Sequence, residues 1–457
     1  MSTGSQQKVT KKFWIFFFLL LVIFVLATVG VLSLDNSSLS TLALSVFPVD
    51  SDAERAHIQQ FLTEAFFTNL KTAFTAFSIL VLLGILCVKR YSSQIFSELS
   101  LIRDWSKCSV KSYGSGWFYS TTLLLFLIGL FVIPLVMLNS DEAYAFEYFT
   151  SRNPIISLAT YPAPNNHVFF SFWTSIIFKI LPFELFALRL PSLSAFIASF
   201  LSISLYNSRK TSKIASFLSI IGVFCCFYPL FYAVQGRGYS FLLFFSTILT
   251  IIAAESIEKK RLQLPIFSCM ISILGFYTIP VFLYPFGLFL LVLALYIPFK
   301  SVLKLGAITS VGTIILYMPI IALFGEDVLI NNEFVVSLSL KEISNSYLPY
   351  ITGILEHHLP IAIVFIAGLI SLIRGKFQKN LAILFLIVFL GSLVLPLIQR
   401  TLAPPRVFIY LYPLAVIVFA HLISKEKWMK YLVIPLLIYN IYFLPKAYYS
   451  FNSYSID

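Results

Sequence analysis

Two adjacent carboxylates, Asp141 and Glu142, follow directly on a long apolar run that ends near Met137-Leu138. A carboxylate within hydrogen-bond reach of a hydroxyl or amine can act as a general base. A second carboxylate beside it can hold an acceptor or a metal ion. Gln235-Gly236-Arg237-Gly238-Tyr239 sets one arginine between two glycines. Glycine lets backbone approach a ligand closely, and a guanidinium grips phosphate bidentately. Arg406, after Pro404-Pro405, and Arg400 are of the same type, so together these arginines could bind an anionic headgroup. Tyr161-Pro-Ala-Pro-Asn165-Asn166-His167 is stiffened by two prolines and offers donors and acceptors ahead of an apolar helix. Glu356-His357-His358 has metal-ligand residue types, which makes a divalent metal a candidate cofactor. Neighbouring histidines on a helix point about 100° apart, however, so they chelate only with help from elsewhere, for example Asp141 and Glu142.

Each stretch also has a plain reading. Asp141-Glu142 could be a solvated helix end, Asn165 and Asn166 a helix cap, and the arginines could simply snorkel to an interface.

The elements that must position these groups are helices in a membrane. The chain has 457 residues, 59% hydrophobic, 17% aromatic and 11% charged. Apolar runs of spanning length recur, and backbone in lipid must bond internally, which makes them helical. The reading is an all-α polytopic protein with about thirteen spans, near 13–34, 71–88, 117–138, 185–206, 214–233, 239–256, 262–279, 280–299, 303–324, 359–374, 380–398, 405–423 and 430–447. The run 167–181 is short for a span and is placed as a juxtamembrane helix in the interface. With the N-terminus cytoplasmic, the inner segments then hold 22 of the 32 Lys and Arg, as the positive-inside rule requires. Fifteen of the 20 Asp and Glu fall outside, with His167, His357 and His358. Any chemistry is therefore expected on the extracytoplasmic face, in outer loops 139–184 and 325–358. Residues 1–116 read as a two-helix appendage with a long cytoplasmic loop at 89–116, and 117–457 as the core.

The net charge of +12 follows loop topology, so nucleic acid is not a partner on this reading. The five cysteines form no CxxC pair. There is no Walker motif and no Gly-rich nucleotide fold, which argues against an ATP-driven pump and a nucleotide-sugar donor.

The order of these stretches resembles a known family. Asp141-Glu142 follows the first core helix, and Asn165-Asn166-His167 precedes the interfacial helix. Ala187-Leu-Arg189-Leu-Pro-Ser192 opens the next span, with Gln235-Gly-Arg237-Gly-Tyr239 and Pro405-Arg406 further on. Over about residues 117–423 this is similar to the GT-C membrane glycosyltransferases of the protein-mannosyltransferase and lipid A aminoarabinose-transferase type. Members often carry His-Pro-Pro or Glu-Lys-Pro where this chain has Pro164-Asn-Asn-His167.

The resemblance implies a bacterial inner-membrane enzyme that uses a polyprenyl-phosphate sugar and a lipid, glycan or protein acceptor. It implies inverting transfer on the extracytoplasmic face. Asp141 would be the base, and Glu142 would help hold acceptor or metal. Arg237, with Arg406, would bind the donor phosphate. Tyr161, Asn165, Asn166, His167 and Tyr239 would line the substrate site. Two alternatives stay open: a polyprenyl-lipid or glycan transporter, and an enzyme like an O-antigen polymerase or ligase.

Overall fold

The computed structural model describes residues 28–46, 63–161, 166–324 and 337–453, with positions 14, 18–19, 21–22 and 24–26. Among these residues the chain is helical throughout, with no strand. It divides into two compact units, Met1–Ser92 with Ile315–Gly325, and Ser93–Ile314 with Glu326–Asp457.

In the first unit, α1 (Asn36–Val46) and α2 (Glu64–Arg90) pack together. Lys71 Nζ donates to the Leu34 carbonyl at 2.6 Å, and Thr28 and Ser78 share a hydroxyl bond.

The second unit opens with α3 (Ser92–Tyr113). Residues 89–116 were expected to be a loop. Instead α3 is a continuous helix, and the division between units falls ahead of it. Its buried Glu98 accepts the backbone N–H groups of Ile266 and Phe267 at 3.2 and 2.9 Å. Those groups belong to a helix start that opens with Pro265 and has no side-chain cap of its own.

Then come α4 (Ser115–Val132), α5 (Ser140–Ala145), a π-helical turn at Phe146–Thr150, α6 (Pro154–Ala159) and α7 (Val168–Ile180). The bundle continues with α8 (Glu184–Lys210), α9 (Lys213–Ser219), α10 (Phe227–Ala233), α11 (Tyr239–Lys259), α12 (Pro265–Thr278) and α13 (Leu283–Ala294). After α14 (Phe299–Phe324) follow α15 (Leu340–His357), α16 (Leu359–Ile373), α17 (Lys379–Gln399), a 3-10 turn at Pro405–Leu411, α18 (Tyr412–Lys425) and α19 (Val433–Ser453). The expected outer loop 325–358 is thus half helix. Residues 325–336 lie outside the described residues, and Ser339 and Glu342 form a reciprocal cap that starts α15.

Among the described residues six helices are long and apolar enough to cross a membrane, and up to eight if each sharply bent pair counts as one span. The two bent pairs are Lys213–Phe224 with Phe227–Ala233, at 81°, and Lys341–His357 with Leu359–Ile373, at 94°. Part of the expected span 13–34 lies outside the described residues. Pro280 splits 262–299 into helices at Pro265–Thr278 and Pro280–Ala294.

The core centres on α8, α11 and the turn-plus-helix Pro405–Lys425. The last is 89% buried along its apolar window, against 11% for Ser115–Leu135. So α18 is enclosed on all sides, and α4 turns Leu123, Leu127 and Phe131 outward as a lipid-facing helix does. Several hydroxyls inside the core are satisfied locally. Ser199, Ser204 and Thr247 each donate to a carbonyl four residues back. Those short side chains let helices approach closely, as membrane packing requires.

Candidate active site

In the second unit Asp141, Glu142, Arg189, Arg237 and Arg406 come together at the end of the bundle where α5, the start of α8, the α10–α11 turn and the 405–411 turn meet. Pro134 ends α4, and the chain runs on through a short 3-10 turn into extended residues. Asn139 caps α5: its Oδ1 accepts the Glu142 N–H at 2.8 Å, and Glu142 reaches back to the Asn139 N–H. The two acids part company here. One turn of helix sends Glu142 inward and leaves Asp141 facing out.

Glu142 is fully buried against Arg189, which is itself fully buried. Arg189 Nε and Nη2 donate to the two carboxylate oxygens at 2.8 and 2.7 Å, a fork-to-fork pair. Nη1 donates to the Ile133 and Val136 carbonyls, both at 2.7 Å, and Nη2 to Met137 at 3.0 Å. All five guanidinium N–H groups are therefore spent. All five bonds tie α8 to the segment 133–142, three of them to carbonyls just past the end of α4. The Gly236 N–H also donates to Glu142 Oε1. A Cβ at position 236 would sit 2.9 Å from Leu188 Cβ and 3.0 Å from Glu142 Oε1, so glycine is required there. The role expected for Glu142, holding an acceptor or metal, is thus replaced by a structural one. Arg189 stands in the Ala187–Ser192 stretch that opens α8, and its partner lies 47 residues away.

Asp141 lies in different surroundings. Its side chain is 53% exposed, and one oxygen is 3.3 Å from Arg237 Nη2, whose side chain is 7% exposed. The turn holding Arg237 is fixed from α8: Ser192 Oγ donates to the Arg237 carbonyl at 3.0 Å. Arg406 Nε donates to the Tyr239 hydroxyl at 2.9 Å, with its guanidinium 5.8 Å above the ring. Tyr239 also meets the His167 ring edge-on at 5.4 Å and lies 4.6 Å from Tyr232. Gly238 backs directly onto His167, where a Cβ would come within 2.9 Å of the imidazole.

The structure thus brings Asp141, His167, Arg237, Tyr239 and Arg406 to one place, and the buried Tyr161 joins them. Burial holds the His167 imidazole below its ordinary range, and the positive charges of Arg237 and Arg406 push the same way. Burial, and then Tyr239, push the Tyr161 hydroxyl up to about 12, with Arg237 opposing. His167 is therefore neutral at pH 7, and Tyr161 keeps its proton.

Asn166 is buried and donates to the Ser157 and Thr160 carbonyls at 3.1 and 2.7 Å, closing α6 onto the start of α7. Asn165 lies outside the described residues. Three buried polar atoms in these segments have no partner: Asn166 Oδ1, His167 Nε2 and Gln235 Oε1. Such atoms are costly unless something completes them. Gln235 was not anticipated as a site residue, although it stands two positions before Arg237.

Glu356, His357 and His358 do not form a metal site. Both ring nitrogens of His358 are taken, one with the Tyr412 hydroxyl at 2.9 Å and one with the Pro405 carbonyl at 2.8 Å. His357 packs edge-on against Tyr228 and Phe443, and Glu356 is exposed. Among the described residues, no three His, Cys, Asp or Glu side chains come together to hold a metal ion. His358 instead pins the turn that carries Arg406. Arg400 ends α17 in the left-handed conformation, and its carbonyl accepts the Leu338 N–H.

No protein-family model, curated protein or solved structure matches this chain.

Proposed function

We propose that the chain is an integral membrane glycosyltransferase that moves a sugar from a polyprenyl-phosphate donor to an acceptor, with inversion, at the extracytoplasmic ends of its helices. One observation carries this reading. A half-exposed carboxylate, Asp141, is held against a nearly buried Arg237, with Arg406 bonded to Tyr239 close by and His167 packed on Tyr239.

The chemistry follows from the two charge types. The acceptor hydroxyl attacks the anomeric carbon from the face opposite the phosphate. Its proton passes to the Asp141 carboxylate as the new C–O bond forms. The bond between the anomeric carbon and the phosphate oxygen breaks, and polyprenyl phosphate leaves with the electron pair. Negative charge grows on that phosphate, where Arg237 and Arg406 meet it in a poorly solvated setting and stabilise the transition state. Binding of the phosphate draws Arg237 away from Asp141, which frees the carboxylate to act as base. Glu142 takes no part in the chemistry, and its pair with Arg189 fixes the backbone that aims Asp141. The donor is already activated, so no nucleotide site is needed, and its apolar tail suits the lipid beside the bundle. On this reading the N-terminus is cytoplasmic, thirteen apolar segments enter a bacterial inner membrane and α7 lies in its outer interface.

The test is transfer from radiolabelled polyprenyl-monophosphate sugars to membrane extract, with purified protein in lipid. Wild type should transfer label, and folded Asp141→Asn should not. Absence of transfer from every monophosphate donor by folded wild-type protein would overturn the proposal. Flipping of labelled lipid with no acceptor consumed would then identify a transporter, and consumption of a diphosphate-linked oligosaccharide a polymerase or ligase.

A further inference from the structure

The far end of the same helices holds a second group of polar side chains. Tyr239 opens α11 at the arginine cluster, and Glu258 stands 19 residues on, about 28 Å away at roughly 1.5 Å per residue. Around Glu258 is a cavity of about 380 Å³, formed where α8, α11 and α18 end and α17 begins.

Its floor carries Asn207, which is 1% exposed and has no partner for either its amide oxygen or its amide nitrogen. His421 Nε2, also in the lining, is likewise without a partner. An amide buried with both ends unmet is an uncompensated cost in the empty fold. The N-terminus of α17 opens on the same space through Asn380 and Leu381. This helix is 21 residues long, and its N-cap, Gln378, makes no side-chain bond to the first turn. Its leading N–H groups and dipole favour an anion. Two ammonium groups border the space. Lys210 is held by Glu255 and Glu258, and Lys425 lies exposed at the rim. Among the described residues the one carboxylate in the lining is Glu258, which Lys210 already engages. The opposite wall is apolar, with Tyr206, Ile257, Leu384 and Ile417.

We infer that this cavity is a binding site for a phosphate ester. The phosphate would sit between the start of α17, the Asn207 amide and Lys425, with the organic part of the ester against the apolar wall. A carboxylate would use fewer of these donors. A free inorganic ion would leave the apolar wall without contact. A phosphate ester can reach the site as a lipid headgroup or as a soluble small molecule, and the experiment separates the two. The inference stands apart from the proposed transferase reaction.

The test is thermal melting of the purified full chain in a phosphate-free maltoside detergent, titrated with glycerol 3-phosphate or with short-chain phosphatidic acid. A saturable rise in Tm is expected. A response to both probes identifies a soluble ester site that also accepts headgroups, and a response to phosphatidic acid alone identifies a lipid site. Asn207→Leu removes the unmet amide while keeping similar volume. It should keep or raise the basal Tm and lose the response. Lys425→Gln, at an exposed position, should fold normally and bind about tenfold more weakly. No saturable response to either probe in wild type would overturn the inference. So would an unchanged response in both variants.

Discussion

Glu142 reaches inward to Arg189 and the Gly236 N–H, inside a shell where every donor is met. Asp141, the residue before it, faces outward, with half its surface open and a single arginine 3.3 Å away. Both are carboxylates paired to an arginine, and their energetic meaning is opposite. A buried, fully bonded pair costs little while intact and a great deal when halved, because the survivor is a bare charge away from water. A partly exposed pair contributes about 0–1 kcal/mol. In the proposed reaction an incoming phosphate displaces the partner of Asp141 and leaves its carboxylate to act as base. The same contrast holds for the arginines. Arg189 has no N–H left to give, whereas Arg237 and Arg406 are the pair proposed to meet the donor phosphate.

The largest effect should come from halving the buried pair. Arg189→Met removes five hydrogen bonds and strands Glu142. A loss of about 3–5 kcal/mol is expected, seen as a large fall in Tm or failure to accumulate folded protein. The double variant Arg189→Met/Glu142→Met should recover part of that loss, because no charge is left unpaired. If the single variant melts like wild type, the distinction between the two acids collapses.

Asp141→Asn should do the reverse. Stability should stay within about 1 kcal/mol of wild type, while transfer falls by about 10²–10⁴-fold, the usual worth of a positioned base. Circular-dichroism melting and the donor assay on one preparation give both numbers. A large drop in Tm would make Asp141 a structural residue like its neighbour.

Gly236→Ala probes the contact from the Glu142 side. The new methyl would meet Leu188 Cβ at 2.9 Å and Glu142 Oε1 at 3.0 Å. Overpacking of that kind costs about 1–3 kcal/mol. Gly287→Ala is the control, since nothing lies within 4 Å of its Cβ position. Equal melting of the two variants would show that Gly236 is not held tightly against the pair.

Much of this end of the molecule was legible because residue type and position in a span mark candidates without any knowledge of contacts. Asp141, Arg237, Arg406, Tyr239, His167 and Tyr161 all stand at ends of apolar runs, and one bundle end collects them. The Arg189–Glu142 pair was not legible. Its partners belong to different helices, and nothing in the spacing distinguishes a carboxylate that turns inward from one that turns out. The metal reading of Glu356-His357-His358 failed for a related reason, since both nitrogens of His358 are claimed by residues about fifty positions downstream. Residues 89–116 read as a loop because they are too polar to span. Yet α3 folds by capping a helix start 168 residues away through Glu98. The start of α15 could have been found, since Ser339-Leu-Lys-Glu342 is a capping box in plain sequence.

The smallest expected effect concerns His167, which belongs to the open half of the comparison although it is itself buried. Its imidazole is held below the ordinary value of 6.5 by burial, with Arg237 and Arg406 adding to the effect. In the unfolded chain it takes a proton as pH falls through that value, and in the folded chain it does not. The unfolded state therefore binds more protons below about 6.5. Stability is full above that pH and declines beneath it, by at most about 1.4 kcal/mol per pH unit for one group. His167→Gln removes that contribution. Between pH 7.5 and 5.5, Tm should fall more steeply for wild type than for His167→Gln. Parallel curves would mean that His167 does not stay neutral in the fold.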